Sequence, residues 1–353
     1  MRIREYLQPW KEARPLPPSQ AARTIPVHIS PHFAQERGGR GPEGLRGERT
    51  GEAHGPEGQR GQRTGQTLAV LGVAASLLAS ACCGPGLGRT TPLPTAEYES
   101  HIQSRKAEYG PEFTVLEAAP FVVVGDGPPD WVKQDTAEVV NVAARLLKEQ
   151  YFDRDPAEII DIVMLATPAS YESHASSVFG PRTPYGYYSP CKRAIYVNMT
   201  LGNGTLVHEM VHAFMGASFP DAPTWFNEGL ASLYEQTDLA SGRLRGLVNW
   251  RLPGLQSAIR RGKTISFEEL LSTSRGEFYD DKRSGLHYAM ARYLMYSLQE
   301  KGMLRGFFKR FQAAHDEDPT GIETLKGVLG ERDLKAFQKR WEQEVLGLTF
   351  PGR

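Results

Sequence analysis

Cysteine is scarce in this chain. Its 353 residues include three, two of them adjacent, too few for a disulfide scaffold. Net charge is also missing, because 41 basic side chains balance 41 acidic ones. That balance gives no footing for nucleic acid or for any strongly charged partner. Residues 1–66 are poor in aliphatics and rich in Arg, Gly, Pro and Glu. So little apolar surface cannot offset chain entropy, and this stretch reads as a disordered low-complexity extension. The segment Gly41–Glu52 nearly repeats at Gly55–Gln66, but neither copy has a hydrophobic face, which excludes a solenoid.

A long apolar run is lacking as well. Thr67–Ala81 holds fifteen uncharged, mostly apolar residues. A spanning helix needs ~20, whereas a signal-peptide core needs about 7–15. Arg60 and Arg63 supply the positive flank. The following Leu78-Ala-Ser-Ala-Cys82 resembles a bacterial lipobox, which implies lipidation of Cys82 and anchorage to a membrane of the cell envelope. A buried helix ending in two free thiols is the other reading. So late a signal core also points to a true start near residues 45–66. Residues 82–110, Pro/Thr-rich and then charged, are expected to tether a folded domain at 111–350.

Within that domain, Phe113–Asp126 and Tyr185–Asn198 read as hairpins. Ile159–Ala166 reads as a buried central strand, and Trp131–Phe152 carries helical spacing. Beyond Gln236 the pattern is mostly helical, with Ser266 as a plausible cap and an interruption at Pro253.

Histidine is rare, nine in all, and two of them fall in Thr205-Leu-Val-His-Glu-Met-Val-His. His208 and His212 stand four apart, one turn on the same helical face, where two imidazoles can grip one metal ion. Glu209 projects beside them, placed to hold and deprotonate a water on that metal. Val207, Met210, Val211 and Phe214 make the apolar stripe that buries the helix. The bland reading is an amphipathic helix with two unremarkable histidines.

The next segment, Pro223–Glu235, reads as a second short helix. A catalytic zinc takes three protein ligands and keeps one position for water, and Glu228 is the candidate third ligand. Gly229 and Ala231 are small enough for another helix to approach closely. Glu235 lies seven residues past Glu228, on the same face, and is placed to accept the free ring N–H of a ligating histidine. Both carboxylates have an ordinary alternative as solvated helix charges. Asp221 is a weaker ligand candidate, since it sits in a Pro-flanked turn. The metzincin pattern is excluded, because Met215 and Ser218 occupy the positions where it needs Gly and His.

His208-Glu-Met-Val-His212 followed by Trp225-Phe-Asn-Glu-Gly-Leu-Ala-Ser-Leu-Tyr-Glu235 resembles the gluzincin metallopeptidases, the clan of thermolysin and aminopeptidase N. The sixteen-residue step from His212 to Glu228 is similar to the compact peptidase MA-like bacterial proteins. The aminopeptidase G-A-M-E-N stretch is absent from the chain. The resemblance implies an α+β zincin-like fold: a small mixed β-sheet, the H-E-x-x-H helix and a C-terminal helical lobe. It implies Zn2+ held by His208, His212 and Glu228, and peptide hydrolysis with Glu209 as general base. It also implies an oxyanion donor about sixty residues past the glutamate ligand. Tyr288 fits that position, with Tyr279 and His287 as lesser candidates. The strand before the metal helix, Ala194–Val197, would be the sheet edge that lines the cleft and takes extended peptide. The competing reading is a non-catalytic envelope-anchored binding or assembly protein with a structural metal site, which would want a fourth protein ligand.

Overall fold

The structure is a computed structural model that describes residues 87–175, 183–239, 241–280 and 282–351. The low-complexity extension, the apolar core 67–81 and Cys82 lie outside the described residues. The fold is α+β. Strands β1 (Thr114–Ala118), β2 (Phe121–Gly125), β3 (Ile160–Leu165), β4 (Gly186–Ser189) and β5 (Ala194–Asn198) form one mixed sheet in the order β1-β2-β3-β5-β4. Both expected hairpins are present as the antiparallel pairs β1–β2 and β4–β5. β3 runs parallel to both neighbours, and every one of its residues is buried. A strand covered on both faces has no need of alternation, which is why Ile160–Leu165 is almost continuously apolar.

One expectation about the sheet is corrected. β5 is an interior strand, paired to β3 on one side and β4 on the other, so Ala194–Val197 is not an edge. The edge is β4, the first arm of the hairpin, because β5 takes the parallel slot beside β3. β4 nonetheless begins next to the helix that carries His208 and His212: a Cβ on Gly186 would come within 2.9 Å of Thr205 Cγ2.

A second difference concerns the expected tether. Thr95–Tyr109 is a helix, α1, lying on the sheet face opposite the main core. Its single buried residue, Tyr98, packs with Val115, Val122 and Val124. His101 Nε2 lies 2.7 Å from Asp161 Oδ1, and Arg105 lies 3.5 Å from the other oxygen. Asp161 is buried on the central strand. The polar sequence of α1 hid this docking, because much of it rests on an ion-pair partner some sixty residues away rather than on an apolar stripe. Upstream, Gly88 N–H donates to Ala217 O at 2.8 Å, and Arg89 pairs with Asp155 as a β-bridge.

The connection from β2 to β3 is helical: α2 (Pro129–Asp135), a π turn (Thr136–Val140) and α3 (Asn141–Gln150). Helix α4 (Pro168–Ala175) follows β3. The helix that carries His208 and His212, α5 (Gly204–Ser218), packs on the sheet with Val207, Met210, Val211 and Phe214 at most 1% exposed. Phe214 meets Phe121 edge-on and stacks on Phe152. Each such buried aromatic contributes about 1.5–3 kcal/mol of transfer free energy. Helix α6 (Thr224–Leu233) comes next, after the turn at Pro220–Pro223.

The C-terminal lobe contains α7 (Leu252–Arg260), α8 (Phe267–Leu271), α9 (Arg275–Phe278), α10 (Ser284–Glu300), α11 (Leu304–Ala314), α12 (Ile322–Leu329) and α13 (Leu334–Leu346). Pro253 does not interrupt a helix. It lies in the first turn of α7, where a missing N–H costs nothing. Ser266 caps α8 by accepting from the Glu269 N–H. Gly229 lets α10 approach closely, for a Cβ there would sit 3.2 Å from Ala291 backbone.

Gly204 is the tightest of these approaches. A Cβ at this position would fall 2.1 Å from the Glu235 carbonyl oxygen. Ala has the better helix propensity by roughly 0.5–1 kcal/mol, but backbone cannot yield as a side-chain tip would. Gly204→Ala is therefore expected to lose about 1–3 kcal/mol net, the range for overpacking. Denaturant unfolding checks this, and an unchanged or raised midpoint would disprove the contact.

Candidate metal centre

Helix periodicity sets the first two groups. His208 and His212 stand one turn apart on α5, with Nε2 atoms 3.0 Å from each other. Helix α6 crosses so that Glu228 Oε2 lies 3.4 Å from His208 Nε2 and 3.6 Å from His212 Nε2. Tetrahedral ligands at 2.0–2.1 Å from zinc would be about 3.3 Å apart, close to all three separations. These three residues are the one group among the described residues whose donor atoms could together hold an ion. Asp221 is exposed in its turn and is not part of it.

Glu228 Oε2 is buried without a hydrogen-bond partner. Leaving a buried charged acceptor unsatisfied is costly, and a cation at the centre of the triangle would satisfy it. The donor chemistry, two imidazoles and one carboxylate, suits a borderline divalent ion such as Zn2+.

The histidines are held from behind. His212 Nδ1 sits 2.8 Å from Asn227 Oδ1. An amide oxygen only accepts, so Nδ1 carries the proton and Nε2 turns its lone pair to the centre. Sequence reasoning missed Asn227 in this role, although it immediately precedes Glu228. The expected bond from His208 to Glu235 is not formed. His208 Nδ1 is 3.6 Å from Glu235 Oε1, beyond hydrogen-bond reach, and has no other partner. Glu235 is instead gripped by Arg251 and Asn249.

Glu209 is buried, and its charge acts on both His208 and Tyr279. Tyr279, partly exposed, donates its hydroxyl to Glu228 Oε1 at 2.5 Å. Tyr288 is half-buried with its hydroxyl toward Glu228, and the Arg251 guanidinium lies over its ring at 4.9 Å. Burial first, then the Glu228 charge, pushes both phenols up, so both stay protonated donors. Of these two tyrosines, Tyr279 is the one hydrogen-bonded to Glu228. His287 is turned away, its Nδ1 bonded to Phe278 O at 3.0 Å in the core. Cys191 is an exposed free thiol in the β4–β5 turn.

Burial disfavours charge on His208, but Glu228, Glu209 and Glu235 outweigh it and push its pKa up to about 9. Burial also opposes charge on Glu228, and the two histidines with Tyr279 override it and hold the carboxyl well below its usual range. The site thus selects a positive charge, which a proton supplies when a metal does not. For chelator-stripped protein, the His208 contribution to stability is complete below its ordinary value near 6.5 and is lost as pH rises toward about 9. The Glu228 contribution is present above about 4.5 and fades on acidification. Bound metal displaces the His208 proton, so the alkaline loss should disappear in metal-loaded protein. Melting temperature against pH, with and without Zn2+, reads this directly. Parallel curves would contradict it.

No family model matches this sequence, and a search of curated proteins finds no match either.

Proposed function

We propose that the chain is a zinc-dependent peptidase of the gluzincin kind, with His208, His212 and Glu228 as ligands. The supporting observation is the convergence of three candidate ligand atoms, 3.0, 3.4 and 3.6 Å from one another, one of them a buried carboxylate oxygen with no hydrogen-bond partner. A divalent ion there supplies Lewis-acid polarisation of the carbonyl and a lowered pKa for water.

The chain's own residues perform the rest. Glu209 accepts a proton from the attacking water as its oxygen adds to the peptide carbonyl carbon. The C–N bond then breaks as Glu209 passes that proton to the departing nitrogen. In this reading Tyr288 is the hydroxyl donor to the developing oxyanion, while the Tyr279 hydroxyl is spent on Glu228 Oε1. Among the described residues β4 is the outer strand of the sheet, and an extended substrate would run beside it. A structural site would want a fourth ligand, and no fourth His, Cys, Asp or Glu joins the group among the described residues. That favours catalysis over a purely structural ion.

The reading includes a lipid anchor on Cys82 that holds the enzyme at a bacterial envelope membrane. Among the described residues no helix is long and apolar enough to cross a membrane.

Protein purified without added metal should contain close to one zinc per chain and cleave members of an unbiased peptide library. Chelation should stop cleavage, and Zn2+ should restore it. A reconstituted protein that binds no divalent ion, or binds it and cleaves nothing, would overturn the proposal.

A further inference from the structure

By sequence Glu235 is either the acceptor for the free ring N–H of a ligating histidine or an ordinary charge at a helix end. In the structure it is only 14% exposed at the side chain and carries three hydrogen bonds from one short segment. Arg251 Nε donates to Oε2 at 2.9 Å, and Arg251 Nη2 donates to Oε1 at 2.6 Å. Asn249 Nδ2 donates to Oε2 at 3.0 Å. This is the bidentate fork that a guanidinium forms and an ammonium cannot.

The segment that supplies these donors is itself immobilised. Asn249 is fully buried, and its N–H and C=O both bond the Tyr293 hydroxyl from α10. Arg251 begins the turn into α7, and its backbone N–H bonds Asn249 Oδ1 at 3.0 Å. The guanidinium lies 4.2 Å from the Trp250 ring centre and 4.9 Å from that of Tyr288. One side chain therefore touches the carboxylate facing His208 and the ring of a candidate oxyanion donor.

We infer that Arg251 is a positioning residue of the metal centre, acting through Glu235 on His208 and through its guanidinium face on Tyr288. The inference rests on the metal-binding reading of His208, His212 and Glu228. Without Arg251, the Glu235 carboxylate loses two of its three hydrogen bonds and is free to swing. His208 Nδ1, which makes no hydrogen bond, would then lose the fixed carboxylate that stands 3.6 Å away and favours its proton on that side of the ring. Asn249 alone fixes a single oxygen. Lysine at 251 would keep the charge, but it would surrender both the fork and the flat face against Tyr288.

The test is Co2+ binding by the full chain, followed by visible absorption and by competition with a chelator of known affinity. Arg251→Lys and Arg251→Met are compared with wild type, Glu235→Gln and the double variant Arg251→Met/Glu235→Gln. Metal affinity should fall about 10–100-fold in each single variant, the usual cost of losing an outer partner. The double variant should fall little further than Glu235→Gln alone, because both changes remove one interaction. The cobalt spectrum of Arg251→Lys should also change shape, which a remote loss of stability would not produce. If Arg251→Met does not fold, Arg251→Lys and Glu235→Gln carry the comparison.

Wild-type affinity and spectrum in Arg251→Lys and Glu235→Gln would overturn the inference while leaving the metal site standing. Additive losses in the double variant would also overturn it. Failure of wild type itself to bind Co2+, with His208→Ala indistinguishable from it, would overturn the metal reading and this inference with it.

Discussion

Glu209→Gln should leave a folded, metal-loaded protein that no longer hydrolyses peptides. The residue is buried, its charge acts on His208 and Tyr279, and it supplies none of the three atoms that converge as candidate ligands. An amide of the same shape preserves packing but cannot accept a proton from water and return it to nitrogen. General-base catalysis contributes roughly 10^2–10^4-fold, and the loss should be at least of that order. Metal content and melting temperature should stay near wild type. Cleavage of the peptide library at an undiminished rate would show that Glu209 is not the base. Loss of metal along with activity would mean that it had been misplaced as a non-ligand.

The matching change at Glu228 should behave in the opposite way. Glu228→Gln keeps the volume and keeps an oxygen near Tyr279, but it removes the charge that both histidines face at 3.4 and 3.6 Å. Metal affinity should fall by more than the about 10–100-fold typical of an outer partner. Activity should vanish with the metal rather than with the chemistry. Glu228→Ala should in addition destabilise chelated protein by about 3–5 kcal/mol, because the buried histidine pair loses its counter-charge. Equilibrium dialysis against Zn2+ with denaturant unfolding separates the two effects. A Glu228→Gln protein that holds zinc as tightly as wild type would remove Glu228 from the ligand set.

These two substitutions replace one carboxylate by one amide nineteen positions apart. Their contrast rests on geometry that the sequence states unequally. His208 and His212 were legible because a helix repeats every 3.6 residues, so spacing alone put both rings on one face. The burial of Val207, Met210, Val211 and Phe214 followed from the same period. Strand β3 was legible from its unbroken apolar run, and Gly229 announced a close helix crossing that α10 makes.

Local pattern carried less where partners are distant. The order of β4 and β5 depends on which arm of a hairpin meets β3, and both arms have similar composition. Helix α1 read as a tether because its docking uses Asp161, a charge on the far side of the sequence. Tyr279 and Tyr288 are nine residues apart on separate elements, and only the turn between α9 and α10 decides which hydroxyl reaches Glu228.

The sequence by itself determined the candidate donor set: two imidazoles one turn apart, a carboxylate between them, and a second glutamate on the next helix. Backbone periodicity makes such short-range placement a property of the chain alone. Tertiary packing decided how Glu228 meets the histidines, that Asn227 holds His212, and that Glu235 is clamped by Arg251 rather than bonded to His208. Those outcomes depend on sub-ångström distances between helices, which buried volume and glycine contacts set and which no single segment encodes.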